Sequence, residues 1–185
     1  MTQPSVPADL ASLATDLLAT AVLRGHFTLR SGATSTYYID KYRLTTEPRL
    51  LERITDALVP MIPAGATRIA GTALGAVPLA TALSLRTGRP SLFVRVDAAK
   101  AYGTGRAVEG VLESGDAIVL VEDVVTTGGA SLTAVDVLKA AGANVLAVIA
   151  VVDREQGGAQ RFADAGIPFH AIFTSSALCL GTSGT

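Results

Sequence analysis

The sequence predicts an α/β protein with a five-stranded, mainly parallel sheet flanked by helices. Five short apolar runs alternate along the chain with stretches of helical periodicity. These runs are apolar throughout and do not alternate with polar residues, which is typical of strands buried on both faces. The length of 185 residues suits one domain with a sizeable core.

The region before the first apolar run is predicted to form two helices and an extended arm. Leucines at helical spacing predict a helix over positions 8–24. The polar, turn-rich stretch FTLRSGATSTYYID predicts a hairpin or an extended arm, and Pro48 is expected to open a second helix from Arg49 to Met61. We therefore expect a single domain, in which residues 1–63 form an N-terminal subdomain, 64–175 the α/β core and 176–185 a C-terminal tail.

The core elements are expected to follow in alternation. Strands are predicted over the runs TRIAGTA, SLFVRV, AIVLVED, NVLAVIAVVD and PFHAIF. Helices are predicted at Val77–Thr87, Ala130–Ala141 and near Ala159–Ala165, while a polar loop follows the second strand. Ligands of such sheets bind beyond the C-terminal ends of the strands. The residues at these strand ends are Gly71 to Gly75, Arg95, Glu122 and Asp123 with Thr126 to Ala130, and Asp153 with Arg154, and they include nearly all the polar residues that look out of place in the sequence.

Composition narrows the class of protein. Hydrophobic residues make up 49% of the chain and charged residues 17%, which is typical of a globular protein and not of a disordered one. The net charge of −1 argues against a nucleic-acid or membrane-surface partner. The lone cysteine, Cys179, excludes an intrachain disulfide and fits a reducing cytosol. We expect a cytoplasmic enzyme without a signal peptide or a membrane span.

The clearest chemical signal is VLVEDVVTTGGAS, residues 119–131. Small residues between a strand and a helix leave backbone N–H groups free to surround an anion, and Thr126 and Thr127 add hydroxyl donors. Glu122 and Asp123 would repel a phosphate, so they are expected to face sugar hydroxyls or a bound Mg²⁺. A Walker B strand is disfavoured because the chain has no P-loop motif. The other alternative is an ordinary strand–turn–helix junction, against which the paired acids argue.

This stretch resembles the phosphoribosyl-pyrophosphate (PRPP) signature of type I phosphoribosyltransferases. Four further segments are similar to those of orotate phosphoribosyltransferases, in the same order: FTLRSGATSTYYID, AGTALGAVPLATALS, AKAYGTGRAVEG and VVDREQGG. The resemblance implies the type I phosphoribosyltransferase fold with a small N-terminal hood. It also implies transfer of the phosphoribosyl group of PRPP to orotate, with Mg²⁺ as cofactor, in de novo pyrimidine (UMP) biosynthesis.

The resemblance assigns roles to individual residues. Those implied to bind PRPP are Arg30, Arg95, Lys100, Tyr102, Glu122, Asp123, Val124, Val125, Thr126, Thr127, Gly128, Gly129 and Ala130. Among them, Glu122 and Asp123 would hold the ribose hydroxyls, and residues 126–130 would cradle the 5-phosphate. Those implied to bind orotate are Tyr38, Thr126 and Arg154.

Lys100 and Asp123 are the implied catalytic residues. Lys100 lies on a glycine-rich loop that, in the family, reaches the active site of the neighbouring subunit of a homodimer. No dedicated metal-ligand set is expected, because Mg²⁺ would bind mainly through PRPP.

The chain departs from the family pattern in the loop RVDAAKAYG, where the first of the usual lysines is absent. Loss of this lysine should weaken the binding of PRPP, which is highly anionic, unless another cation compensates. Lys41 and Arg106 are the candidates for that cation. Two alternative functions stay open from the sequence. One is a phosphoribosyltransferase for another base, and the other is a PRPP- or nucleotide-sensing regulator on the same scaffold.

Overall fold

The computed structural model describes residues 8–28, 34–96 and 107–180. The helices in these ranges are α1 Ala8–Ala21, α2 Lys41–Thr46, α3 Pro48–Leu58, α4 Val77–Thr87, α5 Gly129–Ala140 and α6 Gly158–Asp164, with a 3₁₀ turn at Val59–Met61. The strands are β1 Val22–Thr28, β2 Thr34–Ile39, β3 Arg68–Thr72, β4 Ser91–Val94, β5 Val108–Glu109, β6 Ala117–Val125, β7 Asn144–Asp153 and β8 Phe169–Thr174.

The central sheet has the strand order β5-β4-β3-β6-β7-β8. Strands β4, β3, β6, β7 and β8 pair in parallel, so the predicted five-stranded parallel core is confirmed. The two-residue strand β5 adds an antiparallel edge to β4. β5 was not predicted, because two residues are too short to show a periodicity.

The order of the strands reverses between β3 and β6. From β3 the chain moves outward to β4 and β5, and it then returns to the other side of β3 to form β6. The loops that follow β3 and β6 therefore leave the sheet in different directions. This is the position at which sheets of this class open a crevice for a ligand.

Both faces of the sheet are covered by helices, which explains why its strands are apolar throughout. Successive residues of a strand point to opposite faces, and Val119 accordingly packs with α1, α3 and α4. Leu120, its neighbour, packs on the other face with α5 and with Phe162 of α6. No helix within the described ranges is both long enough and apolar enough to cross a membrane.

The N-terminal region forms the hairpin that the sequence allowed. β1 and β2 pair antiparallel, with Val22 opposite Ile39. The predicted helix 8–24 is three residues too long, since α1 ends at Ala21 and the pairing with β2 takes up the residues after it. The short helix α2 was not predicted. It follows β2 at once, and its cap is Asp40, whose Oδ1 accepts a hydrogen bond from the backbone N–H of Tyr42 at 3.1 Å.

Gly71 allows β3 to pack closely against the start of α4. A Cβ added at Gly71 would lie 2.6 Å from the carbonyl oxygen of Ala76 and 2.8 Å from Cβ of Ala80. We expect Gly71→Ala to lower the free energy of unfolding by about 1–3 kcal/mol, because the helix must move away from the strand. Urea denaturation measures this change.

The matched control is Gly65→Ala, at a position where the nearest atom, on Leu146, would be 3.9 Å from the new Cβ. This variant should change stability by no more than ~0.5 kcal/mol. A midpoint for Gly71→Ala equal to that of the wild type would contradict the close packing of β3 on α4.

Candidate active site

A cavity of about 520 Å³ opens where the strand order reverses, at the C-terminal ends of β3 and β6. One wall is formed by residues 73–75, called the β3 loop below, and the other by residues 126–130, called the β6 loop. Glu122 and Asp123, called the acid pair below, lie between these loops, and Lys41 of α2 also lines the cavity. The cavity therefore combines two carboxylates, one cation and a loop rich in hydroxyl and backbone groups.

The β6 loop is held in place by the first turns of α5 and α6. Gly128 has a φ of +72°, in the left-handed region that favours glycine, and it forms the N-cap of α5. Gly158 packs closely beneath the loop, since a Cβ added there would lie 2.8 Å from the carbonyl oxygen of Thr126. Arg161 donates a hydrogen bond from Nη1 to the carbonyl oxygen of Thr127 at 2.9 Å. These contacts hold the loop against the first turns of α5 and α6.

Glu122 joins the two walls of the cavity. Its Oε1 accepts hydrogen bonds from Thr72 Oγ1 at 2.5 Å and from Ser131 Oγ at 2.8 Å. Burial raises the pKa of Glu122 to about 7, and the nearby charge of Asp123 raises it further. The hydroxyls of Thr72 and Ser131 act in the opposite direction, because their hydrogen bonds favour the carboxylate. Glu122 therefore holds its proton to a higher pH than an exposed glutamate does.

Asp123 offers an acceptor atom to the cavity. Its Oδ1 accepts a hydrogen bond from the backbone N–H of Val124 at 2.6 Å, while Oδ2 is buried and has no hydrogen-bond donor among the described residues. Burial raises the pKa of Asp123, and the charge of Lys41, whose Nζ lies 3.7 Å from Oδ2, opposes this rise. The β3 loop packs directly on this carboxylate, since a Cβ added at Gly75 would overlap Oδ2. A buried acceptor without a donor is suited to a ligand hydroxyl.

Arg154 follows β7 and packs against the N-terminal hairpin. Its guanidinium carbon lies 5.0 Å from the centre of the Tyr37 ring. Tyr37 is buried, and its hydroxyl lies 3.4 Å from Ser175 Oγ. Tyr38, the residue predicted for the base, points to the opposite face of β2, where it is 41% exposed and packs against Phe27 with 5.7 Å between ring centres. The structure thus brings Tyr37, and not Tyr38, to Arg154.

The residues predicted to bind PRPP fall into three groups. Those that line the cavity are Glu122, Asp123, Val124, Val125, Thr126, Thr127, Gly128, Gly129 and Ala130. Arg95 does not line it, because its Nη1 turns to Glu109 Oε1 at 3.3 Å. Arg30, Lys100 and Tyr102 lie outside the described residues, as does Arg106, a candidate for the replacement cation.

Several contacts of the site were not anticipated from the sequence. Thr72 and Ser131 bond to Glu122 across the cavity, and Arg161 supports the β6 loop from α6. No local sequence pattern predicts these contacts, because each one joins residues of separate elements. Only the alternation along β2 could have warned that one of the two adjacent tyrosines, Tyr37 or Tyr38, must face inward.

Three comparisons relate the chain to known proteins. The family model described as "Phosphoribosyl transferase domain" matches residues 49–166. Orotate phosphoribosyltransferase of Methanocella arvoryzae is 44% identical over 158 residues, which cover 85% of this chain and 90% of that protein. Orotate phosphoribosyltransferase of a Nocardioides species is 44% identical over 168 residues, which cover 91% of this chain and 93% of that protein.

The fold matches a solved structure that contains PRPP. The crystal structure of Mycobacterium tuberculosis orotate phosphoribosyltransferase in complex with PRPP superimposes with a TM-score of 0.77 at 31% identity. The match covers 93% of this chain and 99% of the crystallised chain.

The raised pKa of Glu122 predicts how stability depends on pH. The native state holds this proton up to about pH 7, whereas the unfolded chain releases it near the ordinary value of 4.5. The native state thus binds more protons between these two values, so this group lowers stability as the pH rises through that window and adds no further change above it. Glu122→Gln keeps an oxygen for Thr72 and Ser131 but removes the titration. We expect its unfolding free energy to fall less over this window than that of the wild type.

Urea denaturation at a series of pH values measures the difference. Glu52→Gln, on the exposed side of α3, is the matched control and should follow the wild-type curve. Parallel curves for Glu122→Gln and the wild type would contradict a titrating Glu122.

Proposed function

The chain belongs to the orotate phosphoribosyltransferase family, and from this premise we infer that it is an enzyme that transfers the phosphoribosyl group of PRPP to orotate. The products are orotidine 5-phosphate and pyrophosphate, in a step of de novo pyrimidine (UMP) biosynthesis. The observation that carries this inference is the acid pair set between the β3 loop and the β6 loop. PRPP presents sugar hydroxyls between two phosphate-bearing ends, and this cavity offers carboxylates between two loops.

Asp123 is the carboxylate best suited to the ribose. Its Oδ2 is buried beside the amine of Lys41 and has no donor within hydrogen-bond distance, so a ribose hydroxyl that takes the place of the amine would satisfy it. Glu122 already accepts two hydroxyls at Oε1 and would act beside Asp123 as the more rigid member of the pair. The β6 loop would receive the 5-phosphate through backbone N–H and threonine hydroxyl groups.

The reaction breaks the bond between the anomeric carbon and the pyrophosphate oxygen and forms a bond from that carbon to a ring nitrogen of orotate. The electron pair of the broken bond leaves with pyrophosphate, and the sugar passes through a cationic, oxocarbenium-like state. Catalysis then rests on positioning and on charge. Asp123 would hold the sugar and favour its positive charge, and Lys100 would offset the negative charge on the leaving group. The proton of that ring nitrogen passes to solvent or to the released pyrophosphate, and we assign no general base, because orotate needs little activation.

Arg154 is proposed to bind orotate together with Thr126. A guanidinium can donate two parallel hydrogen bonds to a carboxylate or to ring carbonyl groups. The packing of the Tyr37 ring against Arg154 supports this role, because it limits the directions in which the guanidinium can point. Tyr38, predicted to pack on the base, would have to act from the exposed face of the hairpin.

Mg²⁺ is proposed as the cofactor. Within the described ranges no group of three or more His, Cys, Asp or Glu residues is arranged to hold a metal. Mg²⁺ does not need such a set, because it keeps several waters and binds through one or two carboxylates and substrate phosphates. Glu122 and Asp123 supply that number of carboxylates in the cavity, so the residues fit an ion that arrives with PRPP. When bound, it would offset negative charge on the pyrophosphate group.

A spectrophotometric assay with the full chain tests the activity. We expect orotate to be consumed and pyrophosphate released when PRPP and Mg²⁺ are present. EDTA should stop the reaction, and an excess of Mg²⁺ should restore it, because the metal balances the charge of the pyrophosphate. Adenine, guanine and uracil in place of orotate should release no pyrophosphate.

Two results would contradict this function. Release of pyrophosphate with another base, but not with orotate, would indicate a different phosphoribosyltransferase. Binding of PRPP without turnover of any base would indicate a sensing protein on the same scaffold.

We further propose that the enzyme works in the cytoplasm as a homodimer, in which Lys100 of one subunit reaches the active site of the other. The family resemblance supports this proposal. Its test is complementation between Lys100→Ala and Asp123→Asn subunits, co-expressed with different tags and purified through both tags. Each mixed dimer would contain one intact site, so about half of the wild-type activity is expected. Mixed dimers as inactive as either parent variant would contradict a shared site.

A further inference from the structure

The cavity is poor in positive charge for a ligand such as PRPP. Its described lining contains the two carboxylates of the acid pair and one basic residue, Lys41. A 5-phosphate and a pyrophosphate bring several negative charges into this space, and anions in a partly buried site need cations or directed donors nearby. The β6 loop can provide donors for one phosphate group. The pyrophosphate lies on the far side of the acid pair, where a further protein cation would add to the charge of Mg²⁺ and Lys100.

Lys41 is placed on that side by the junction of β2 and α2. Asp40 caps α2, so Lys41 is the first residue of a defined helix and not part of a loose loop. Its Nζ lies 3.7 Å from Asp123 Oδ2 and would lie 3.1 Å from a Cβ added at Gly75. The amine therefore lies beside both Asp123 and Gly75 of the β3 loop.

The contact between Lys41 and Asp123 is one that a ligand can replace. The separation of 3.7 Å is longer than a hydrogen bond, and the side chain of Lys41 remains 40% exposed. In the absence of a ligand the amine offsets part of the charge of Asp123. An anion entering the cavity would gain the amine, while a sugar hydroxyl would take its place at Oδ2.

The chemistry of PRPP decides which phosphate group Lys41 would meet. The 5-phosphate and the pyrophosphate are attached to opposite ends of the ribose ring. With the ribose hydroxyls on the acid pair and the 5-phosphate on the β6 loop, the pyrophosphate points towards the β3 loop. That is the side on which Lys41 stands.

We propose that Lys41 is a substrate-binding residue that donates hydrogen bonds to the pyrophosphate group of PRPP and supplies a cation that the altered loop RVDAAKAYG lacks. This inference rests on the proposed function, because it takes PRPP as the ligand. It goes beyond that function by assigning a pyrophosphate contact to Lys41 of α2, a residue of the N-terminal region that does not follow a strand of the central sheet.

Isothermal titration calorimetry on the full chain with Mg²⁺ tests the assignment with three probes: PRPP, inorganic pyrophosphate and ribose 5-phosphate. Lys41→Met should weaken binding of PRPP and of pyrophosphate about tenfold to a hundredfold, as expected for loss of one charge-assisted hydrogen bond. Binding of ribose 5-phosphate, which has no pyrophosphate, should change by less than about twofold. Lys41→Arg should recover most of the affinity for PRPP, since it keeps the charge.

Lys139→Met is the matched control, because Lys139 is exposed in the last turn of α5 and does not line the cavity. It should bind all three probes as the wild type does. Unchanged affinity for PRPP in Lys41→Met would overturn the proposal. Equal weakening of PRPP and ribose 5-phosphate would also overturn it, because Lys41 would then act only by supporting Asp123. Retained binding of ribose 5-phosphate also shows that the variant is folded.

The same titrations separate this inference from the proposed function. A chain that binds PRPP in a Lys41-dependent way but does not consume orotate would contradict the function and support the assignment of Lys41. A chain that consumes orotate and binds PRPP equally well without Lys41 would support the function and overturn the assignment. A wild-type chain that does not bind PRPP would overturn both.

Discussion

The burial of two adjacent carboxylates at the end of β6 is the constraint on which the rest of the site depends. Burial disfavours the charged form of each group and raises the pKa of both. The protein compensates Glu122 with the hydroxyls of Thr72 and Ser131, and it compensates Asp123 with the charge of Lys41. Asp123 Oδ2, buried in the cavity wall, nevertheless has no donor within hydrogen-bond distance among the described residues. A ribose hydroxyl is proposed to bind at this atom.

The reversal of strand order gives this acid pair its surroundings. Because β3 and β6 are neighbours whose loops diverge, the cavity receives the β3 loop on one side and the β6 loop on the other. Gly75 lets the first loop pack on Asp123, and Gly158 lets α6 pack beneath the second loop. Both loops are therefore positioned by backbone packing, which favours a site whose geometry exists before the substrate binds.

The N-terminal hairpin and α2, the helix that follows it, contact residues at the C-terminal ends of β6 and β7. β2 presents Tyr37 to Arg154, and α2 presents Lys41 to Asp123. Tyr37 also lies beside Ser175 near the C-terminal end of the described chain. Three distant parts of the sequence thus meet at the edge of the sheet where the substrates are proposed to bind. The N-terminal region thus contributes Lys41 to the lining of the cavity.

The sequence by itself determined the features that depend on near neighbours in the chain. The uninterrupted apolar runs predicted the five parallel strands. The stretch VLVEDVVTTGGAS predicted the acid pair and the β6 loop, which line one cavity. Tertiary structure decided which side chains meet across elements. Strand periodicity requires Tyr37 and Tyr38 to face opposite sides of β2, but only packing against Arg154 chose Tyr37 as the inward one. The contact of Lys41 with Asp123 likewise has no local signature, because it depends on how α2 packs against the end of β6.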